Sequence, residues 1–130
     1  MTKTLLALAV ILGLVGSTSA ETSNPPKIGV DFTFDAKHRC QGISPEIRLS
    51  NVPAGVATYE VKLTDLDVPT FHHWSQTLHA EGLAIHESAG SGYFGPCSPS
   101  GTHRYEIMFV ARDSQNRAVA SGEKIVVTGR

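Results

Sequence analysis

From residue 30 onward, apolar and polar positions alternate in short runs. Val30, Phe32 and Phe34 fall on one face and Asp31, Thr33 and Asp35 on the other, the period of two that marks a strand with one buried face. Glu46 to Ser50 repeats it with Ile47 and Leu49. Thr58 to Asp65 gives the clearest run, with Tyr59, Val61 and Leu63 against Glu60, Lys62 and Thr64. Trp74, Gln76 and Leu78 alternate with His73, Ser75 and Thr77. Within His103 to Ala111, Tyr105, Ile107 and Phe109 oppose Arg104, Glu106 and Met108. Ile125 to Val127 is a last β-branched run, reached through the turn residues Asp113 to Asn116. Between these lie a polar stretch from Ala36 to Gly42, a Pro- and Gly-bearing loop at Asn51 to Gly55, and a long Gly- and Ser-rich loop from Glu81 to Gly95. No segment keeps a 3.6-residue period over a dozen positions. The pattern predicts an all-β chain, a small β-sandwich with little or no helix. Lys62 and Lys124 are expected to blunt an open sheet edge.

The chain before residue 30 reads differently. Lys3 precedes an almost unbroken apolar run, Leu5 to Val15, and small residues follow to Ser17-Thr18-Ser19-Ala20. Thr18 and Ala20 occupy the −3 and −1 positions of a signal-peptidase site, so residues 1–20 read as a signal peptide cleaved after Ala20. The apolar run is shorter than the roughly 20 residues needed to span a bilayer. Residues 21–29, with Asn24-Pro25-Pro26, read as a flexible leader and 30–130 as one domain. Cleavage leaves 110 of the 130 residues, enough for one core and too few for two. Without Lys3 there are 10 basic and 12 acidic residues, a net charge of −2, which argues against nucleic acid or an acidic membrane as partner. No second apolar run reaches membrane-spanning length. The expected location is periplasmic or secreted. Cys40 and Cys97 both lie in the exported part, where an even count favours a disulfide over two separate buried thiols.

Three clusters carry chemistry. Asp65-Leu66-Asp67-Val68-Pro69 ends the clearest strand, and its two carboxylates at i and i+2 share a face if the chain stays extended. In Phe71-His72-His73-Trp74, adjacent His residues point to opposite faces, so one at most meets a pocket. Gly92-Tyr93-Phe94-Gly95-Pro96-Cys97 is followed by His103-Arg104-Tyr105, and Gly95 is a position where backbone could approach a ligand closely. His72, His79 and His86 read as solvated, and Trp74 and Tyr93 as packing residues.

In this order the clusters resemble the phosphatidylethanolamine-binding protein family, in its bacterial Raf-kinase-inhibitor-like branch. Cys40-Gln41-Gly42-Ile43-Ser44-Pro45 resembles the family's Cys-x-Gly…Ser-Pro segment, and Val52-Pro53-Ala54-Gly55 its loop before the central strand. Asp65-Leu66-Asp67-Val68-Pro69 resembles Asp-Pro-Asp-x-Pro, and His73-Trp74 the family's His-Trp. Gly92 to Pro99 resembles Gly-Tyr-Gly-Gly-Pro-Cys-Pro-Pro, and Thr102-His103-Arg104-Tyr105 the His-Arg-Tyr strand start. The chain departs from the family at Leu66, at the polar Ser75-Gln76-Thr77, in a shortened segment from Ala80 to Gly92, and in ending on a strand.

The resemblance implies a β-sandwich with a small anion-accepting cavity near one end. By position its lining here is Asp65, His73, Gly95, Pro96, His103 and Tyr105, with Asp67 a weaker candidate. Imidazole and backbone N–H groups donate to phosphate or carboxylate, and a buried carboxylate such as Asp65 fixes a His tautomer. The resemblance also places both cysteines beside the pocket. The expected function is an exported, non-catalytic binder of an anionic small molecule or phospholipid head group, with no cofactor. Ser98 and Ser100 lie near His103 but lack a nucleophile elbow. Two other readings stand beside it: a metal-binding protein using His73 and His103 with Asp65, and a protein-interaction or inhibitor module.

Overall fold

In the computed structural model, which describes residues 24–129 together with 13, 15–17 and 19, the alternating segments pair into two antiparallel sheets. The strands are β1 (Gly29–Asp31), β2 (Ile47–Ser50), β3 (Val56–Asp65), β4 (Trp74–His79), β5 (Ala84–Ile85), β6 (His103–Asp113) and β7 (Ala118–Thr128). One sheet has the order β1-β2-β5 and the other β4-β3-β6-β7. Alternation puts Tyr59, Val61 and Leu63 of β3, Trp74 of β4, and Tyr105, Ile107 and Phe109 of β6 on the inner face of the larger sheet. They meet Ile47, Leu49 and Ile85 of the smaller one, and all are buried. Each such large side chain contributes about 1.5–3 kcal/mol by leaving water, so the inner faces hold the sandwich together. The all-β expectation holds, and the helical content of the described residues is one 3₁₀ turn at Ala36–His38.

Register sets where chemistry can gather. β3 and β6 pair from Val56↔Asp113 to Asp65↔Tyr105, so the acidic end of one lies beside the His103 start of the other. β4 joins through Leu63↔Trp74, which brings His73 to the same end of the sandwich.

Several expectations are corrected. β1 stops at Asp31, and the next carbonyl, that of Phe32, accepts from Lys124 Nζ at 2.9 Å; Phe32 and Phe34 still turn inward, rings edge-on at 5.0 Å. The segment read as a loop from Glu81 to Gly95 contains β5, which pairs with β2 through Ile47↔Ile85. β7 begins seven residues before Ile125, at Ala118. Lys62 cannot blunt an edge, since β3 is flanked by β4 and β6. Lys124 does lie on the edge strand β7, with its amine turned to Asp31 at 2.7 Å. The polar Ser75-Gln76-Thr77 is explained by β4 being an edge strand.

The flexible leader expected through residue 29 ends earlier. Ile28 N–H donates to Ser121 O at 2.8 Å, Ser121 N–H donates to Pro26 O at 3.2 Å, and Ile28 is buried in the core. The signal peptide expected over 1–20 falls almost wholly outside the described residues, as does the start of the leader. Among the described residues no helix is long and apolar enough to cross a membrane.

Candidate functional site

Asp65 is the last residue of β3, and the chain turns immediately after it. Its Oδ1 accepts the backbone N–H groups of Asp67 at 2.9 Å and Val68 at 3.1 Å, a turn closed by an Asx side chain. Its Oδ2 accepts from His103 Nδ1 at 2.6 Å. Burial, to 4% exposure, would raise the Asp65 carboxyl, but the His103 hydrogen bond and the two backbone donors outweigh it and hold it below its ordinary value. The turn also separates the two carboxylates. Asp67 faces away and takes the Arg104 backbone N–H at 2.7 Å and Arg104 Nη2 at 2.9 Å.

His73 sits just before β4 and is 4% exposed, whereas its neighbour His72 is exposed. Residues 73 and 94 exchange two hydrogen bonds: Phe94 N–H donates to His73 O at 2.9 Å, and His73 Nδ1 lies 2.8 Å from Phe94 O. A carbonyl oxygen only accepts, so His73 Nδ1 carries the hydrogen. The same argument applies to His103, whose Nδ1 faces the ionised Asp65. Both rings flank Tyr105, His73 edge-on at 5.5 Å and His103 stacked at 6.2 Å. Neither Nε2 has a partner among the described residues, and no buried side-chain nitrogen is left without one. Both Nε2 atoms therefore keep some solvent exposure, and both rings line one cavity.

That cavity measures about 310 Å³. Asp65, His73, His103 and Tyr105 form its polar part, and Val68, Phe71, Phe94 and Pro99 its apolar wall. Burial, with the nearby Asp65 carboxylate second, pushes the Tyr105 hydroxyl up, so it stays protonated at neutral pH. Ser98 is the only serine in the lining, and its hydroxyl donates to Ser100 O at 2.6 Å. Other hollows are less suited. One of about 240 Å³ is lined by Asp31, Glu46 and Glu87, whose carboxylates are already paired with Lys124, Arg48 and Lys37. Among the described residues no three His, Cys, Asp or Glu side chains gather as metal ligands.

Of the residues expected in the lining, Asp65, His73, His103 and Tyr105 line the cavity; Gly95, Pro96 and Asp67 do not. Pro96 is fully buried and its carbonyl accepts Cys40 N–H at 2.9 Å. Gly95 does allow a close approach, but the approaching group is protein: a Cβ there would lie 1.7 Å from His38 O. Gly95→Ala must push these backbones apart and is expected to destabilise the fold by about 2 kcal/mol or more. Chemical denaturation of the variant checks this, and a stability equal to the parent's would contradict it.

Cys40 and Cys97 form a disulfide, S–S 2.04 Å, with Cys97 in the cavity lining. Sequence reasoning missed His38, which is buried. Its Nδ1 accepts Asp35 N–H at 3.0 Å, its Nε2 faces Glu87 at 2.8 Å, and its carbonyl takes the Tyr93 hydroxyl at 3.1 Å. It braces the Gly95 segment from behind. The apolar wall was missed as well, because Val68, Phe71 and Phe94 lie in turns where no periodicity marks them.

A family model described as phosphatidylethanolamine-binding protein matches residues 18–127. No curated protein matches the chain in sequence at a significant level. Among solved structures, the crystal structure of E. coli YbcL, described as a new member of the mammalian PEBP family, superposes with a TM-score of 0.66. At 17% identity over 80% of this chain and 99% of that one, this likeness shows a shared fold.

Proposed function

This chain belongs to the phosphatidylethanolamine-binding protein family, and from that premise we propose that it is an exported, non-catalytic protein that binds an anionic small molecule or a phospholipid head group in the Asp65–His73–His103 cavity. One observation carries the reading. Two imidazoles are tethered through Nδ1, His103 to a carboxylate and His73 to a carbonyl, and both rings line one cavity with Nε2 left without a protein partner among the described residues. A proton on either Nε2 makes it a charge-assisted donor to an anion. The Asp65 carboxylate balances the charge on His103, and His73 lies among the rings of Phe71, Phe94 and Tyr105. The disulfide favours an oxidising compartment. A bound anion meets donors and no activated nucleophile, which supports binding without turnover.

An anion is held only when an Nε2 carries a proton, so binding draws protons from solution. Affinity is expected to rise as pH is lowered. Titration of phosphate or phosphoethanolamine should shift the ring signals of His73 and His103 together. Calorimetry in buffers of different ionisation enthalpy should show net proton uptake. Ring signals that stay fixed at millimolar ligand at pH 6 would overturn the reading.

A further inference from the structure

Resting on that reading of the cavity, we infer that its ligand is an organic anion bearing a flat aromatic group, selected by Phe71 and Phe94. The first argument is size. A water molecule occupies about 30 Å³ in the liquid, so a cavity of about 310 Å³ is several times larger than a bare phosphate or carboxylate needs. The second is the division of the walls. The groups that can donate to an anion are His73, His103 and Tyr105, Asp65 is engaged by His103, and Val68, Phe71, Phe94 and Pro99 form an apolar wall opposite them in character.

The third argument is exposure. Phe71 is 50% and Phe94 39% exposed, on a chain whose other phenylalanines are buried. The two rings touch, with centroids 6.0 Å apart and planes tilted by 54°, and Phe71 lies 4.7 Å from the His73 ring. They form an open aromatic corner beside the imidazole, and a third ring can complete it at the offset or edge-on distances that aromatic pairs prefer.

The fourth argument concerns what position 94 does for the fold. Its hydrogen bonds with His73 are made by its backbone N–H and carbonyl, which any residue but proline supplies, and its ring stacks on the His73 imidazole at 6.3 Å. The hydrogen bonds that hold the loop are therefore independent of the ring, which enters the cavity wall beside the imidazole.

Methylphosphonate, hexylphosphonate and phenylphosphonate share one head group and separate these contributions. By calorimetry at pH 6, phenylphosphonate is expected to bind roughly tenfold more tightly than methylphosphonate and several-fold more tightly than hexylphosphonate. In Phe94→Ala, and independently in Phe71→Ala, the phenyl-to-methyl ratio should fall towards one. Equal affinities for the phenyl and methyl compounds overturn the inference, as does a hexyl compound that matches the phenyl one, or a ratio unchanged in both variants. No binding of any of the three overturns the anion reading itself, so the two failures are distinguishable.

Discussion

Under oxidising conditions Cys97→Ser is expected to lower the melting temperature by on the order of 20 °C. The Cys40–Cys97 bridge joins residues 57 apart, and on the chain-entropy model closing such a loop stabilises by roughly 4 kcal/mol. For a domain of this size each kcal/mol moves the midpoint by about 4–8 °C. The effect falls mainly on the unfolded chain. In the folded state the same two segments are tied by Cys40 N–H to Pro96 O at 2.9 Å and by Gly95 N–H to Gln41 O at 3.0 Å, so the cavity wall keeps its shape without the sulfurs. Scanning calorimetry of the variant and of the reduced parent should therefore give the same lowered midpoint. An unchanged melting temperature in the variant would contradict the bridge's role.

The second large effect is at Asp65. Asp65→Asn keeps an oxygen for the backbone N–H groups of Asp67 and Val68 but turns an amide N–H toward His103 Nδ1–H. One of the two must yield, and the charge-assisted bond is lost. The expected cost is about 2 kcal/mol at pH 7. Its pH dependence has a definite sign. The folded Asp65 carboxyl lies below its ordinary value, so the stabilisation it gives is complete above the unfolded carboxyl value, about 3.9. It fades as pH falls through the lower, folded value. Urea unfolding of parent and variant should show the full gap at pH 7 and a narrowed gap near pH 3. A gap independent of pH would remove Asp65 ionisation from the account.

Much of this architecture could be read from the chain because a half-buried strand must alternate. β2, β3, β4 and β6 each bury one face against the other sheet, and their residues announce it. β5 escaped because Ala84–Ile85 is two residues long, too short for a period to be seen. β7 was underestimated because its first half, Ala118 to Gly122, carries small residues. At Gly122 the reason is packing: a Cβ there would run into the Ile28 carbonyl.

The same division holds at the candidate site. Asp65, His73, His103 and Tyr105 lie at strand ends whose register brings them together, so motif and pattern coincide there. The resemblance implies Gly95 and Pro96 in the lining; a glycine there invites a close approach, and the sequence does not say whose. The answer, the His38 carbonyl, depends on a contact across 57 positions. Phe71 and Phe94 obey no period, since they contribute nothing to either sheet.

The clasp of Pro26 and Ile28 onto β7 also bears on the order in which the molecule can be assembled. Gly29–Asp31 belongs to the smaller sheet through β2, while Ile28 N–H finds its acceptor on Ser121, more than ninety residues later in the chain. A polypeptide emerging amino end first therefore carries Ile28 as an uncommitted apolar side chain until almost the whole sequence has appeared. Contacts of such long range are slow to form. The sandwich cannot close vectorially, strand by strand; its amino-terminal edge is sealed only once the carboxy-terminal strand is in place.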